Sequence, residues 1–155
     1  MKVLVLTISD RASRGEYEHL SGPAHEEIIA DGIPGASVSR VVVPDEAEAI
    51  IAAFAEHADK DVILTTGGTG LGPRDVTPEA TARFCDREIP GIAEYLRSES
   101  LRETVNAAVS RGRAGMKGAT IIINLPGSVR GASFCANLLV PILPHACAMA
   151  GGGGH

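Results

Sequence analysis

Four short runs of nearly unbroken Val, Ile and Leu divide the chain, at residues 3–8, 37–43, 61–66 and 119–124. Each is too short for a core helix and too continuous for a strand with one wet face. The pattern predicts strands buried on both faces. Between them the apolar spacing changes. Pro23 follows Ser21-Gly22 and leads an Ala/Glu/Ile stretch that stops at Gly32, with Pro in the first turn and Gly past the end, as a helix prefers. Asp45 followed by Glu48, with Ile50, Ile51 and Phe54 beyond, reads as a capping box opening a second helix. Thr77-Pro78-Glu79 starts a third. Pro90 opens a fourth that runs through Tyr95 and Leu96 towards Leu101, and a last helix follows Ser128. Strands alternating with helices predict an α/β fold of βαβ units on a mostly parallel sheet. No repeat or linker breaks the pattern, so one domain over residues 1–150 is expected, with 151–155 (Gly-Gly-Gly-Gly-His) a disordered tail.

An open parallel sheet binds ligands beyond the carboxyl ends of its strands. The segments at that edge are Ser9-Asp10-Arg11-Ala12-Ser13, Pro44-Asp45-Glu46, Thr65-Thr66-Gly67-Gly68-Thr69-Gly70-Leu71-Gly72-Pro73-Arg74-Asp75 and Leu125-Pro126-Gly127-Ser128. Polar and glycine residues therefore converge on one side. In the third segment, glycines let backbone N–H groups approach an anion, and Thr66 and Thr69 add hydroxyls. It is neither a P-loop nor a strict dinucleotide fingerprint, and a tight turn alone would also use these glycines. Asp45 reads equally as a helix cap, and Asp75 equally as an Asx turn. Together beside a phosphate loop, the two carboxylates suit Mg²⁺, which shares its shell with substrate phosphates.

Composition narrows the classes. Hydrophobic residues make up 45% of 155 residues, but aromatics only 3%, so the core rests on aliphatic side chains. The net charge is −5 with no basic run, which disfavours nucleic acid as a partner. The opening apolar run meets Ser9-Asp10-Arg11 too soon for a secretion signal, and no stretch approaches a membrane span; a cytoplasmic location is expected. Cys85, Cys135 and Cys147 lack metal spacing and read as idle thiols in a reducing compartment. His145 reads as structural. Glu94 and Arg97, three apart on one helix, read as an exposed ion pair. Ser110 has no nucleophile elbow around it.

Thr65-Thr66-Gly67-Gly68-Thr69-Gly70 with Arg74-Asp75-Val76-Thr77-Pro78-Glu79-Ala80 resembles the MogA/MoaB family, which includes the G domain of gephyrin and its plant counterpart. Ile8-Ser9-Asp10-Arg11, Ser21-Gly22-Pro23, Val43-Pro44-Asp45-Glu46, Arg87-Glu88-Ile89-Pro90-Gly91, Ser110-Arg111, Ala114-Gly115, Asn124-Leu125-Pro126-Gly127-Ser128 and Leu143-Pro144-His145-Ala146 extend it across nearly the whole chain. The resemblance implies a three-layer α/β/α fold and a homotrimer. It implies an enzyme of molybdenum cofactor biosynthesis that uses ATP and Mg²⁺ to adenylylate molybdopterin, releasing pyrophosphate, with a molybdenum-insertion enzyme downstream. It places the important aspartates at Asp45 and Asp75. It places substrate contacts at Ser9, Asp10, Arg11, Thr66, Gly67, Gly68, Thr69, Gly70, Arg74, Ser110, Pro126, Gly127 and Ser128. The rival readings are a pterin carrier without catalysis and a nucleotide pyrophosphatase related to the competence-damage proteins. The retained Arg74-Asp75-Val76-Thr77-Pro78-Glu79-Ala80 stretch favours the transferase.

Overall fold

A computed structural model describes residues 1–16 and 21–153. Strands β1 (Lys2–Ile8), β2 (Ser37–Val43), β3 (Val62–Thr66), β4 (Arg87–Glu88), β5 (Ala114–Lys117) and β6 (Thr120–Leu125) form one sheet in the order β2-β1-β3-β6-β5-β4. β2, β1, β3 and β6 run parallel, with Val3 beside Val62 and Val62 beside Ile121. β5 returns antiparallel to β6 through a turn in which Gly118 has φ +57°. β4 pairs antiparallel with β5. The helices are α1 (Asp10–Ser13), α2 (Ser21–Gly32), α3 (Ala47–Glu56), α4 (Thr77–Phe84), α5 (Pro90–Glu103), α6 (Val129–Leu139) and α7 (Leu143–Ala150), with a 3₁₀ turn at Val105–Val109.

Alternate strand residues serve two separate cores, because successive side chains point to opposite sheet faces. Val3, Val62, Leu64, Ile121, Ile123 and Leu125 pack with Ile29 of α2, Ile92 and Leu96 of α5, Leu139 of α6 and Leu143 of α7. Leu4, Leu6, Ile63 and Ile122 pack with Ile50 and Phe54 of α3 and Ala80 of α4. This is the three-layer α/β/α arrangement, a single domain. Each fully buried aliphatic side chain contributes about 1.5–3 kcal/mol of transfer free energy. A buried polar chain ties the α4 layer to the sheet: Asn124 Nδ2 donates to Thr65 Oγ1 (3.1 Å) and Thr81 Oγ1 (2.9 Å), and the Thr81 hydroxyl donates to Thr77 O (3.0 Å). With every member paired, this chain carries no desolvation penalty from an orphaned group.

Four details differ from the sequence expectation. β2 is a sheet edge, with Ser37, Ser39, Arg40 and Val42 exposed, so it is not buried on both faces. The capping box does not form: α3 begins at Ala47 with Glu46 at its N-cap, because the Asp45 side chain is engaged elsewhere. The last helical stretch is two helices, α6 and α7, separated by Pro141. Of the glycine tail, Gly151, Gly152 and Gly153 donate back to Cys147, Met149 and Ala148 carbonyls; residues 154 and 155 lie outside the described residues. Among the described residues no single helix is long and apolar enough to cross a membrane.

Candidate functional site

The loop after β3 is shaped by its glycines. Gly67 has φ +105° and Gly68 has φ +64°, a region where only glycine sits without strain. A Cβ on Gly67 would overlap Ile8 O, and one on Gly68 would overlap Thr77 Oγ1. The carbonyls of the loop are tied back one after another. Gly67 O accepts from Thr77 Oγ1 (2.9 Å), and Gly68 O from Thr77 N (3.1 Å). Thr69 O accepts from Arg111 N (2.9 Å), and Gly70 O from Arg111 Nε (2.7 Å). In a trans peptide the C=O and the following N–H point in opposite directions. Pinning four successive carbonyls therefore turns the N–H groups of Gly68, Thr69, Gly70 and Leu71 the other way. None of these finds an acceptor among the described residues. Successive free amides of this kind make an anion cradle.

The cradle opens on a cleft of about 690 Å³ lined by Gly68, Thr69, Gly70, Asp75, Ser110, Pro126, Gly127 and Ser128, with α5, the 3₁₀ turn and α6 forming the far wall. Ser128 caps α6, its Oγ accepting from Gly131 N (3.3 Å). The Val129 and Arg130 amides have no acceptor among the described residues, and the positive end of the helix dipole faces the same space. Arg130 closes part of the rim through an ion pair with Glu103 (2.9 Å).

Behind the glycine loop lies an acidic clasp. Asp45 Oδ2 accepts from Asp10 N (2.7 Å), and Asp10 Oδ1 accepts from Asp45 N (3.0 Å), so the loops after β1 and β2 hold each other. Arg74 forks onto Asp10 through Nε (3.1 Å) and Nη2 (2.9 Å). That hydrogen-bonded guanidinium holds the Asp10 carboxyl below its usual range. Burial pushes the Asp45 carboxyl up, and the Asp10 and Asp75 charges add to this against the Asp10 amide. Asp45 Oδ1 lies 3.4 Å from where a Gly68 Cβ would stand. Asp75 Oδ2 accepts from Gly72 N (2.8 Å) and lies 3.0 Å from the corresponding point on Gly70. The two carboxylates thus flank one loop, each with its Oδ1 taking no hydrogen bond among the described residues. An unpaired carboxylate oxygen is the type of ligand that Mg²⁺ takes, one or two from the protein when substrate phosphates supply others. No group of three or more His, Cys, Asp or Glu side chains among the described residues forms a cage for a metal.

The expected site residues therefore divide. Gly68, Thr69, Gly70, Asp75, Ser110, Pro126, Gly127 and Ser128 share the cleft, whereas Asp10, Arg74 and Asp45 form the clasp behind it. Ser9 caps α1 by accepting from Ala12 N (3.2 Å), and Arg11 lies exposed on α1. Thr66 is not a phosphate donor: its buried hydroxyl donates to Pro126 O (2.8 Å), so its other partner, the Ser21 hydroxyl (3.0 Å), must donate to it. Gly67 is buried beneath the loop. The Glu94–Arg97 ion pair does not form. Arg97 instead donates to Ser110 O (3.0 Å) and Gly112 O (2.9 Å), holding the segment that bears Ser110. Arg111, quoted in the resemblance without a role, is the residue the sequence reading missed. Its only signal was a cation inside a Ser/Gly loop.

The family model described as "probable molybdopterin binding domain" matches residues 4–145. The chain is 38% identical over 145 residues to a Helicobacter pylori protein named molybdopterin adenylyltransferase, covering 91% of this chain and 82% of that one. It is 41% identical over 150 residues to the Drosophila melanogaster molybdenum cofactor synthesis protein cinnamon, of which it spans 25%. Among solved structures, a molybdopterin biosynthesis enzyme MoaB from Thermus thermophilus superposes with a TM-score of 0.88 at 45% identity, over 97% of this chain and 96% of that one.

Proposed function

The chain belongs to the probable molybdopterin binding domain family, and from that membership we propose that it is a molybdopterin adenylyltransferase of molybdenum cofactor biosynthesis. The observation that carries the reading is the cradle: a loop of successive unpaired amides whose Gly68, Thr69 and Gly70 line one cleft, beside a helix N-terminus and Asp75. A phosphomonoester fits there, held by backbone N–H groups rather than by a basic patch, which accords with a chain of net charge −5.

In the proposed reaction the terminal phosphate of molybdopterin attacks the α-phosphorus of ATP. A new P–O bond forms, the bond between the α-phosphorus and the bridging oxygen breaks, and pyrophosphate leaves. The amides of the 68–71 segment hold the attacking phosphate and blunt the repulsion between the two anions. The cleft between the glycine loop and α6 fixes its approach, which replaces encounter in solution by a prepared geometry. Asp45 and Asp75 would hold Mg²⁺ through their free oxygens. The ion, when bound, supplies positive charge to the nucleotide phosphates as negative charge builds on them. Arg74 keeps Asp10 ionised and oriented, and Asp10 in turn sets the Asp45 backbone.

Two wider parts of the reading, a homotrimer and transfer of the product to a molybdenum-inserting enzyme, rest on the family resemblance, and a cytoplasmic location rests on the sequence pattern. The three free thiols among the described residues accord with a reducing compartment. The test is to incubate the protein with ATP, Mg²⁺ and molybdopterin and to separate the products. Adenylyl-molybdopterin with stoichiometric pyrophosphate is the expected result. Bound but unchanged molybdopterin would instead identify a carrier, and ATP breakdown without pterin a pyrophosphatase.

A further inference from the structure

Arg111 lies outside β5, on the segment between the 3₁₀ turn and the sheet, yet most of its polar groups are directed at the glycine loop. Its main-chain N–H goes to Thr69 O and its Nε to Gly70 O. Its Nη2 goes to Asp75 O (2.6 Å), and its guanidinium is ion-paired with Glu79 of α4. That pairing holds the Glu79 carboxyl below its usual range. We propose that Arg111 is a positioning residue for the transfer, which sets both the anion cradle and the Asp75 carboxylate and is itself set by Glu79. The inference rests on the adenylyl-transfer reading above.

The reasoning is geometric. Of the four pinned carbonyls, Thr77 holds those of Gly67 and Gly68, and Arg111 holds those of Thr69 and Gly70. Without the Arg111 side chain the Gly70–Leu71 peptide is free to rotate and the Leu71 N–H loses its direction, while the main-chain bond to Thr69 O stays. Glycine at position 70 offers no steric resistance to that rotation. The same guanidinium fixes the Asp75 main chain, hence the carboxylate that stands beside Gly70. The planar fork, with five N–H groups in fixed directions, serves two carbonyls and a carboxylate at once; an ammonium group does not reproduce it.

The experiment compares wild type, Arg111→Met, Arg111→Lys and Glu79→Gln, with Arg113→Met as a control. Arg113 forms only an exposed ion pair with Glu88 through its side chain. Three quantities are read: melting temperature, molybdopterin affinity by calorimetry, and kcat and KM for adenylyl-molybdopterin formation. Arg111→Met is expected to lose about a hundredfold in kcat/KM, the scale a roughly 1 Å misplacement produces. Arg111→Lys, which keeps the charge and the fold, should recover only a small part. Added guanidinium ion at millimolar concentration should restore turnover in Arg111→Met, a response that loss of stability alone does not give. Glu79→Gln should fall between, and Arg113→Met should match wild type. Wild-type kcat/KM in Arg111→Met or Arg111→Lys overturns the inference. So does a loss that tracks melting temperature and ignores guanidinium. If wild type makes no adenylyl-molybdopterin, the reading of the preceding subsection fails. Molybdopterin affinity then judges Arg111 by itself: unchanged binding in Arg111→Met refutes the role, and weakened binding with rescue supports it.

Discussion

Replacing Asp45 by Asn separates its two jobs. The side chain now accepts from Asp10 N at 2.7 Å, while the reciprocal bond from Asp45 N to Asp10 Oδ1 is main-chain and survives any substitution. An Asn oxygen can take over the acceptor position, so the clasp persists. The lost charge was costly to hold in place, because burial and the charges of Asp10 and Asp75 push this carboxyl up. A raised acid favours the protonated form in the folded state. Its contribution to stability is therefore largest at low pH and is lost as pH climbs through and beyond the ordinary carboxylate range. Asn escapes that loss, and its stability should stay within about 0.5 kcal/mol of wild type at neutral pH. Turnover should behave differently. Removing one metal carboxylate costs roughly 3 kcal/mol of transition-state stabilisation, or about a hundredfold in rate. The assay is single-turnover formation of adenylyl-molybdopterin over a Mg²⁺ titration, with thermal melts alongside. Asp45→Asn should be slow, should need more Mg²⁺, and should still bind molybdopterin. Asp45→Ala should share the slow rate and also lose about 1 kcal/mol of stability as Asp10 N loses its acceptor. If Asp45→Asn turns over at the wild-type rate, Asp45 is a clasp and nothing more.

Gly68→Ala should destabilise as well as weaken molybdopterin binding, because φ +64° is strained for Ala and its Cβ would overlap Thr77 Oγ1; a melt within error of wild type would contradict this loop geometry. The Cys85 thiol is pushed up to about 11, mainly by burial, so iodoacetamide at pH 8 should modify it far more slowly than an unfolded control by mass spectrometry. The same shift means that stability is lost as pH rises from the ordinary thiol range towards 11. Light scattering should give the mass of three chains at micromolar concentration, and a stable monomer there would remove the trimer.

The central strands were legible because β1, β3 and β6 are covered on both faces and carry unbroken aliphatic runs. β4 and β5 were not: Arg87–Glu88 and Ala114–Lys117 are too short and too mixed to signal a strand, and their pairing depends on β6. The start of α3 was misplaced because Asp45 is a good N-cap residue whose side chain finds a distant partner first. That the glycine loop is a tight turn needing positive φ was readable from its composition. Its threonines were not equivalent, since only the fold shows that Thr66 turns inward to Pro126 while Thr69 lines the cleft. Arg97 and Arg111 act on carbonyls, and a carbonyl carries no mark in a sequence.

The strand order also dictates a sequence of events during synthesis. β3, in the middle of the sheet, pairs with β1 on one side and with β6 on the other, and β6 is the last of the six strands to be made. Until then the apolar Val62–Thr66 edge is open, and open apolar edges recruit strands from other chains. The β5–β6 hairpin is local and forms quickly, whereas its docking on β3 closes a long loop and is slow. That docking delivers Pro126, Gly127 and Ser128 to Thr66 and gives the cleft its α6 wall. A nascent chain halted before β6 therefore lacks the binding site and holds its stickiest strand uncovered, so completion of the sheet and of the pocket are one folding step.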